Sequence, residues 1–345
     1  AEAFTSALAA YKEDPQSAML DTLERLAGVT GQWVEFLTEL REVITALPPA
    51  GRVEVWLRIA RVYGDKLNHL DYALASLAET KKLDVSDEAQ RQQLCELQVD
   101  LCRRAERWKD LADALGALAA LPSLGDNAGR RIDLYLEQGE VFDSNLSDGV
   151  SAAGAFRRAL DVDTKNRDAL AALEHLLRRN KRWDELVATL TQKAGLLAEN
   201  GDSNGALAAR REAALLATEH LGDSKAAAER WEEIRQLAPG DLDALRALEK
   251  IYGHEGSYSE RYLQVLAELA DSVPSDKERL ALYRRLAAEY EDSPGKSQSA
   301  AACLEKILDL DSKAEDAYRG LARLYRQAKN WTLLSDCLRR HAERA

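Results

Sequence analysis

Apolar residues recur every three or four positions through most of this chain, the spacing of one face of an α-helix. In the stretch 300–325, Leu304 and Leu308 share one such face, and a short polar turn follows. A second face then carries Tyr318 and Tyr325. The pattern predicts two consecutive helices. The same order recurs in the stretches 152–177 and 227–252.

Aromatic residues repeat over a longer interval. Trp33, Trp108 and Trp183 are separated by 75 residues each, a further 75 residues lead to Tyr258, and 73 more lead to Trp331. The residues that follow each of these positions are similar. A fixed period of this length indicates one structural unit copied along the chain, and copied units stack into a solenoid.

One segment identifies the type of unit. Residues 56–63 read WLRIARVY, with Trp56, a small residue at Ala60 and Tyr63 on one helix, and a proline, Pro239, lies in the exit turn of another copy. This order resembles the tetratricopeptide repeat (TPR). The resemblance implies a right-handed superhelix of antiparallel helix pairs, in which the first helix of each pair lines a concave groove.

The predicted fold is therefore all-α: a right-handed superhelical solenoid of about nine TPR-like hairpins, or about 18 helices. The resemblance runs from about Phe4 to Ala345, and residues 1–345 are predicted to form a single continuous array. Residues 4–11 read like the second helix of a hairpin, and the last hairpin lacks a distinct polar capping helix. We therefore expect the array to be a segment of a longer protein.

Composition supports a helical interaction protein and limits its partners. Aromatic residues make up only 6% of the chain, and the net charge is −12, which opposes generic binding to nucleic acid or anionic lipid. No apolar run is long enough to span a membrane. The four cysteines show no CxxC spacing and are expected to be buried thiols in a reducing compartment. We expect a cytoplasmic protein that is monomeric by itself.

Motifs for chemistry are absent from the sequence. The five histidines form neither HExxH nor a zinc spacing. The run 161–166 resembles the start of a calcium loop, but Lys165 stands where an oxygen ligand belongs and the required glycine is missing. No glycine-rich phosphate loop or nucleophile elbow occurs. We therefore expect no enzymatic activity, no cofactor and no metal.

All six tryptophans occupy repeated positions of the pattern. A repeated position is typical of packing between neighbouring helices rather than of ligand stacking. We therefore expect Trp108, Trp183 and Trp331 to be mostly buried between helices.

The residues offset from the packing stripe of the first helices face the groove in this family. In alternate hairpins this offset stripe is basic, and the hairpins between them offer Asp65, Asp143 and Glu291. The groove could thus alternate basic and acidic bands, or the face could be a solvated one rich in ion pairs along each helix. The candidate partner-binding residues are Arg103, Arg104, Arg178, Arg179, Arg246, Lys250, Arg319, Arg323 and Arg326.

The function predicted from these features is a scaffold or adaptor whose concave groove binds a peptide or helix of a protein partner. The basic stripe predicts an acidic or phosphorylated segment in that partner. Two alternatives stay open. The array could be the regulatory or substrate-recruiting module of a larger enzyme, or an RNA-binding helical repeat. The acidic balance of the chain and the lack of an aromatic and basic stacking platform count against RNA.

Overall fold

The computed structural model describes residues 2–14, 17–83, 85, 87–254 and 259–344. These residues form 19 α-helices and no strand. The all-α prediction is therefore confirmed, with one helix more than the number expected. Tyr258 and the side chain of His254 lie outside the described residues. The chain divides into two compact units, Ala1–Lys181 (unit 1) and Arg182–Ala345 (unit 2).

Unit 1 contains ten helices joined mostly by short turns. The helix α1 packs against α2, and the pairs α4/α5, α6/α7 and α8/α9 are hairpins that follow one another along the chain. The helices of unit 1 are α1 (Glu2–Glu13), α2 (Ser17–Thr30), α3 (Trp33–Val43), α4 (Pro49–Arg61), α5 (Leu70–Thr80), α6 (Glu88–Arg104), α7 (Trp108–Ala119), α8 (Ala128–Glu140), α9 (Gly149–Val162) and α10 (Arg167–Arg179).

Unit 2 contains nine helices with the same alternation. Each helix packs against the next one in the chain, which is the nearest-neighbour packing of a solenoid. The helices of unit 2 are α11 (Trp183–Glu199), α12 (Ser203–Leu216), α13 (Ser224–Leu237), α14 (Leu242–His254), α15 (Ser259–Ser272), α16 (Asp276–Asp292), α17 (Ser297–Leu310), α18 (Glu315–Gln327) and α19 (Trp331–Arg344).

The even-numbered helices from α2 to α18 correspond to the first helices of the predicted hairpins, and the odd-numbered helices from α3 to α19 to the second. Several first helices end in a wider π-helical turn, at Val62–Lys66 after α4 and Val141–Asn145 after α8. These turns place the acidic residues Asp65 and Asp143 at the ends of their helices. That residues 1–345 form a single continuous array stays a prediction.

The turns that lead into the second helices have a common backbone geometry. A residue with positive φ occurs two positions before each of the four tryptophans that open α3, α7, α11 and α19: Gly31 (73°), Glu106 (53°), Lys181 (55°) and Lys329 (54°). This left-handed conformation ends a helix by turning the chain sharply. Because the turn recurs, α3, α7, α11 and α19 all begin in the same way, with the tryptophan as the first residue of the helix.

Buried apolar stripes hold the helices together. In unit 2 the buried side chains from Ala214 to Cys337 form one continuous cluster. In unit 1 separate clusters run from Phe4 to Val62 and from Val53 to Leu101. Each helix thus buries its stripe against its neighbours in the sequence, as the helical periodicity predicts.

The tryptophans differ in burial more than the sequence suggested. Trp108 and Trp183 are half-buried, and the Trp183 ring stacks on the His220 ring with centroids 4.3 Å apart. Trp331 is 62% exposed, so the prediction that it is mostly buried is wrong. The physical reason is that none of the described residues covers the Trp331 ring in the way that the His220 ring covers Trp183.

The four cysteines are free thiols. Cys102, Cys303 and Cys337 are buried and Cys95 is half-buried. Burial raises the pKa of the Cys303 thiol to about 11, so this thiol stays protonated and unreactive at neutral pH. Within the described ranges no group of acidic, histidine or cysteine side chains could hold a metal ion, and no helix is long and apolar enough to cross a bilayer.

Candidate functional site

The nine predicted partner-binding residues lie on four first helices. Arg103 and Arg104 end α6, Arg178 and Arg179 end α10, and the others belong to α14 and α18. All nine are exposed, as the offset-stripe interpretation requires. Exposure alone does not make these charges available, because most of them have carboxylate partners.

The two arginines of α6 reach in opposite directions. Arg104 Nη1 lies 2.7 Å from Asp65 Oδ1 at the end of α4, and Arg104 Nη2 donates to the Gly64 carbonyl oxygen at 2.5 Å. Arg103 Nη2 lies 2.6 Å from Glu137 Oε1 on α8. The hydrogen bond to Asp65 is the main reason that the pKa of Arg104 is raised. Together the two arginines connect α6 with the first helices on both sides of it.

The same connection recurs in the other hairpins. Arg179 of α10 pairs with Asp143 at the end of α8, and Arg323 of α18 pairs with Glu291 at the end of α16. The acidic and basic bands inferred from the sequence are therefore not separate. Neighbouring first helices lie side by side, so that a basic residue on one meets the acidic residue of the other, and the two charges offset each other.

The remaining predicted residues are paired to different extents. Arg178 Nη2 lies 3.1 Å from Glu174 Oε1 one turn earlier on the same helix, and Arg246 Nη2 lies 3.0 Å from Glu278 Oε1 on α16. Lys250 and Arg326 are exposed and form no ion pair with a described residue. Of these four first helices, α18 thus carries the most accessible positive charge.

A crevice in unit 2 brings several of these residues together. It lies between α16 and α18 and has a volume of about 530 Å³. Its floor is formed by small or apolar residues, the buried Ala287 and Leu304 and the half-buried Gly320, and the exposed Ala288 also lines it. A Cβ at Gly320 would come within 2.8 Å of Leu304 Cδ1, so the missing side chain lets α17 pack close to α18. We call this feature the α16/α18 crevice.

The rim of the α16/α18 crevice is charged. Each of its three arginines has a carboxylate partner: Arg284 pairs with Asp316, Arg319 with Glu315 and Arg323 with Glu291. Arg284 Nε donates to Asp316 Oδ2 at 2.8 Å. Burial by itself would raise the pKa of Asp316, but the hydrogen bonds and the charge of Arg284 outweigh it and hold this pKa below its usual value. Asp316 is therefore ionised at neutral pH.

Arg319 is the most accessible cation of the rim. Its side chain is 75% exposed, and Glu315, one turn earlier on α18, accepts from it at 2.5 Å. An exposed pair of this kind contributes only about 0.3–0.5 kcal/mol. The guanidinium can therefore leave Glu315 for another carboxylate or a phosphate at little cost.

The sequence interpretation did not include Arg284, Asp316 or Gly320. Arg284 lies on α16, where the offset-stripe interpretation names only the acidic end, and Asp316 lies in the first turn of α18. The separation of these residues along the chain could have indicated the pairs: Arg284 and Asp316 are 32 residues apart, and so are Arg323 and Glu291. The two pairs form the two sides of one crossing between α16 and α18.

A second concavity occurs in unit 1. It has a volume of about 560 Å³ and lies between α5, α6 and α7, with a mainly apolar lining that includes Leu77, Leu94 and Ala114. None of the predicted partner-binding residues lines it. The α16/α18 crevice is therefore the cavity that agrees best with the sequence interpretation.

Solved structures of repeat proteins share a limited likeness with this chain. The MamA protein is 14% identical, over 56% of this chain and 96% of that chain, with a TM-score of 0.28. YrrB, described as a TPR protein with an unusual peptide-binding site, is 17% identical over 56% and 90%, with a TM-score of 0.28. The C-terminal part of a TPR repeat-containing protein from Cytophaga hutchinsonii is 12% identical over 77% and 99%, with a TM-score of 0.30.

Neither a protein-family model nor a curated protein matches the sequence. The TPR-like character of the chain rests on its own helix hairpins, their recurrent left-handed turns and the spacing of its aromatic residues, rather than on alignments with such low TM-scores.

Proposed function

We propose that this chain is a protein-interaction array and that the α16/α18 crevice binds an acidic or phosphorylated segment of a partner protein. The observation that carries the proposal is the combination of three guanidinium groups with an apolar floor in one crevice. The interaction role follows from the repeat architecture, in which stacked first helices present an extended surface.

The charge of α18 favours an anionic ligand. Arg319, Arg323 and Arg326 are spaced by four and three residues and therefore lie along one face of the helix. Arg326 is exposed and has no ion pair among the residues described. Guanidinium groups bind carboxylates and phosphates through two parallel hydrogen bonds. An extended anionic segment could thus contact these arginines in succession while it follows α18.

The two rim arginines that belong to α18, Arg319 and Arg323, would act differently. Arg323 pairs with Glu291, which is only 24% exposed, so its guanidinium is held more firmly than that of Arg319 and contributes a positioned donor. Arg319 exchanges its weak partner for the ligand. The floor at Ala287 and Gly320 leaves space for a small side chain or the backbone of the segment, which makes the site more than a charged surface.

We expect the reversal of all three arginines of α18, Arg319→Glu, Arg323→Glu and Arg326→Glu, to weaken binding of an acidic peptide at least about tenfold, since charge-assisted hydrogen bonds contribute roughly 1.5–3 kcal/mol each. The measurement is fluorescence anisotropy of a labelled Ser/Glu peptide and of its phosphoserine counterpart, titrated with the protein at low and high salt. Salt should weaken binding of the parent protein.

A matched control carries the same change in charge on second helices: Lys109→Glu, Arg157→Glu and Lys225→Glu, on α7, α9 and α13. We expect this variant to keep most of the affinity of the parent. Far-UV circular dichroism checks that both variants fold. If the α18 variant binds both peptides as tightly as the parent at both salt concentrations, the crevice is only a solvated helix face. If both variants lose affinity equally, binding depends on net charge and not on the crevice.

A further inference from the structure

The concavity of unit 1 between α5, α6 and α7 has the size and the lining of a small-molecule site. Its volume is about 560 Å³, and ligand pockets typically measure about 300–1,000 Å³ and are mainly apolar. Leu77 and Ala114 in its wall are buried, and the half-buried Leu94 and Leu121 continue the apolar lining. We call this concavity the unit 1 pocket. It shares no residue with the α16/α18 crevice, so its use is a separate question.

The unit 1 pocket lies where α5 is shorter than its counterparts. The helix α5 has 11 residues, whereas α9, α13 and α17 have 14 each. The twelfth residue of α9 is Leu160 and that of α17 is Leu308, and both are buried. The equivalent residue of unit 1 is Lys81, which follows the end of α5 and is exposed. A leucine that packs inward in two other hairpins is therefore replaced by a cation at the edge of an open space.

Two cations line the unit 1 pocket without a carboxylate partner. Neither Lys81 nor Arg91 forms an ion pair with a described residue. Arg91 Nε donates to the Val85 carbonyl oxygen, which leaves the two Nη atoms for another acceptor. Burial raises the pKa of both Cys95 and Cys102 on α6, and the positive charge of Lys81 opposes part of this rise. The ammonium group of Lys81 thus lies near α6, which forms one wall of the pocket.

The hairpin of α13 and α14 shows how the same position is arranged when the protein balances the charge itself. Arg235, the twelfth residue of α13, corresponds to Lys81 and lines a concavity of about 520 Å³. Arg235 Nη1 lies 2.8 Å from Glu232 Oε2, and Nη2 lies 2.9 Å from Glu268 Oε1. At the position of Glu232, α5 carries Ala78. The charge that α13 neutralises within the protein therefore stays available at the unit 1 pocket.

The other polar groups of the unit 1 pocket fit a ligand with a single anionic group. The half-buried Gln98 side chain lines the pocket and forms no hydrogen bond with a described residue, so its amide can donate to an anion. The buried Thr80 hydroxyl donates to the Leu77 carbonyl oxygen of its own helix. Asp113 on α7 is the one carboxylate among the described residues that line the pocket. It disfavours a second negative charge on the ligand.

We propose that the unit 1 pocket binds a small amphipathic anion, a molecule with an apolar hydrocarbon body and one carboxylate or sulfonate group. The body packs against Leu77, Leu94 and Ala114, and the anionic group binds to Lys81 and Arg91 at the edge. Burial of the apolar body supplies most of the affinity, and the two cations fix the orientation of the ligand. The proposal does not depend on the partner of the α16/α18 crevice.

The test is displacement of a fluorescent probe, anilinonaphthalene sulfonate, from the full chain. The competitors are decanoate, decanol and decylamine, which share a hydrocarbon chain and differ in the charge of the head group. We expect decanoate to displace the probe at a concentration at least about tenfold lower than decylamine, because only its head group gains charge-assisted hydrogen bonds. If decanoate displaces no probe, or if decylamine displaces it as well as decanoate does, the proposal is wrong.

A variant that fills the unit 1 pocket tests the location. Ala117 is exposed on α7 and lines the pocket, so Ala117→Phe occupies the space without disturbing the buried stripe. We expect it to weaken decanoate binding at least about tenfold through loss of the apolar contact. The matched control Ala208→Phe, at an exposed position of α12, should bind like the parent. Unchanged decanoate binding by Ala117→Phe would place the ligand elsewhere and overturn the proposal.

A second variant tests the charges. Lys81→Glu combined with Arg91→Glu should weaken decanoate binding at least about tenfold and leave decanol binding unchanged. Unchanged decanol binding also shows that the pocket of this variant is folded. The control Lys277→Glu combined with Lys313→Glu makes the same change in net charge at exposed positions of unit 2 and should bind decanoate like the parent. Equal losses in both variants would contradict the assignment of the anionic group to Lys81 and Arg91.

Discussion

Replacement of Trp231 by alanine is expected to lower the free energy of unfolding by about 3–5 kcal/mol. Trp231 lies on α13 and is 3% exposed. Its indole N–H donates to Thr218 Oγ1 at 2.9 Å, and Thr218 in turn donates to the Ala214 carbonyl oxygen. The substitution therefore leaves a large cavity and also removes the partner of a side-chain hydroxyl. The measurement is denaturant unfolding followed by far-UV circular dichroism.

Trp331→Ala is the matched control. Like Trp231, Trp331 is a tryptophan of unit 2, but its ring is exposed. Substitutions at exposed positions usually change stability by no more than about 0.5 kcal/mol. We expect this variant to unfold like the parent in dilute solution. Equal losses for the two variants would show that Trp331 is covered in the folded protein, and an unchanged Trp231 variant would show that the α13 packing described above is wrong.

Replacement of Gly139 by alanine is expected to destabilise unit 1 by about 2–3 kcal/mol. A Cβ at this position of α8 would lie 2.3 Å from Cε1 of the Phe156 ring. Phe156 is buried on α9, so its rigid ring cannot move aside without separating the two helices. The higher helix propensity of alanine, about 1 kcal/mol, offsets only part of this cost. Thermal or denaturant unfolding measures the difference.

For Gly154→Ala, in the same hairpin, we expect the opposite effect on stability. Gly154 lies on α9, and no neighbouring atom comes within 4 Å of the Cβ that alanine would add. We expect a gain of about 0.5–1 kcal/mol, because glycine in a helix loses more backbone entropy on folding. If both alanine variants were stabilised, the close contact between α8 and Phe156 would not exist in solution.

The helices could be predicted from the sequence because their signals are local. The apolar spacing around Leu304 and Tyr318 depends only on residues within one repeat, and the aromatic period that ends at Trp331 is visible when the copies are compared. The burial of Trp331 could not be predicted in the same way. A repeated position identifies the surface that a tryptophan faces, but the burial of that surface depends on which residues of other helices pack over it.

The ion pairs of the basic residues on the first helices could not be predicted either. Helical spacing placed Arg104, Arg179 and Arg323 correctly on exposed faces of first helices. Their carboxylate partners, however, lie 39, 36 and 32 residues away, on the neighbouring first helix. Such pairs depend on how two helices are aligned side by side, and the pattern within one helix does not contain this information. The crevice that holds Arg319 results from the same alignment.

The ion pairs between neighbouring first helices also affect how such an array can evolve. Each pair joins residues about one hairpin apart, so a duplication or deletion of complete hairpin pairs moves both partners together and restores every contact. The loss of one hairpin would instead bring unlike members of the series beside each other and leave a carboxylate without its arginine. Among related sequences, positions such as Asp143 and Arg179 should therefore change together, and the length of the array should vary in steps of the 75-residue period.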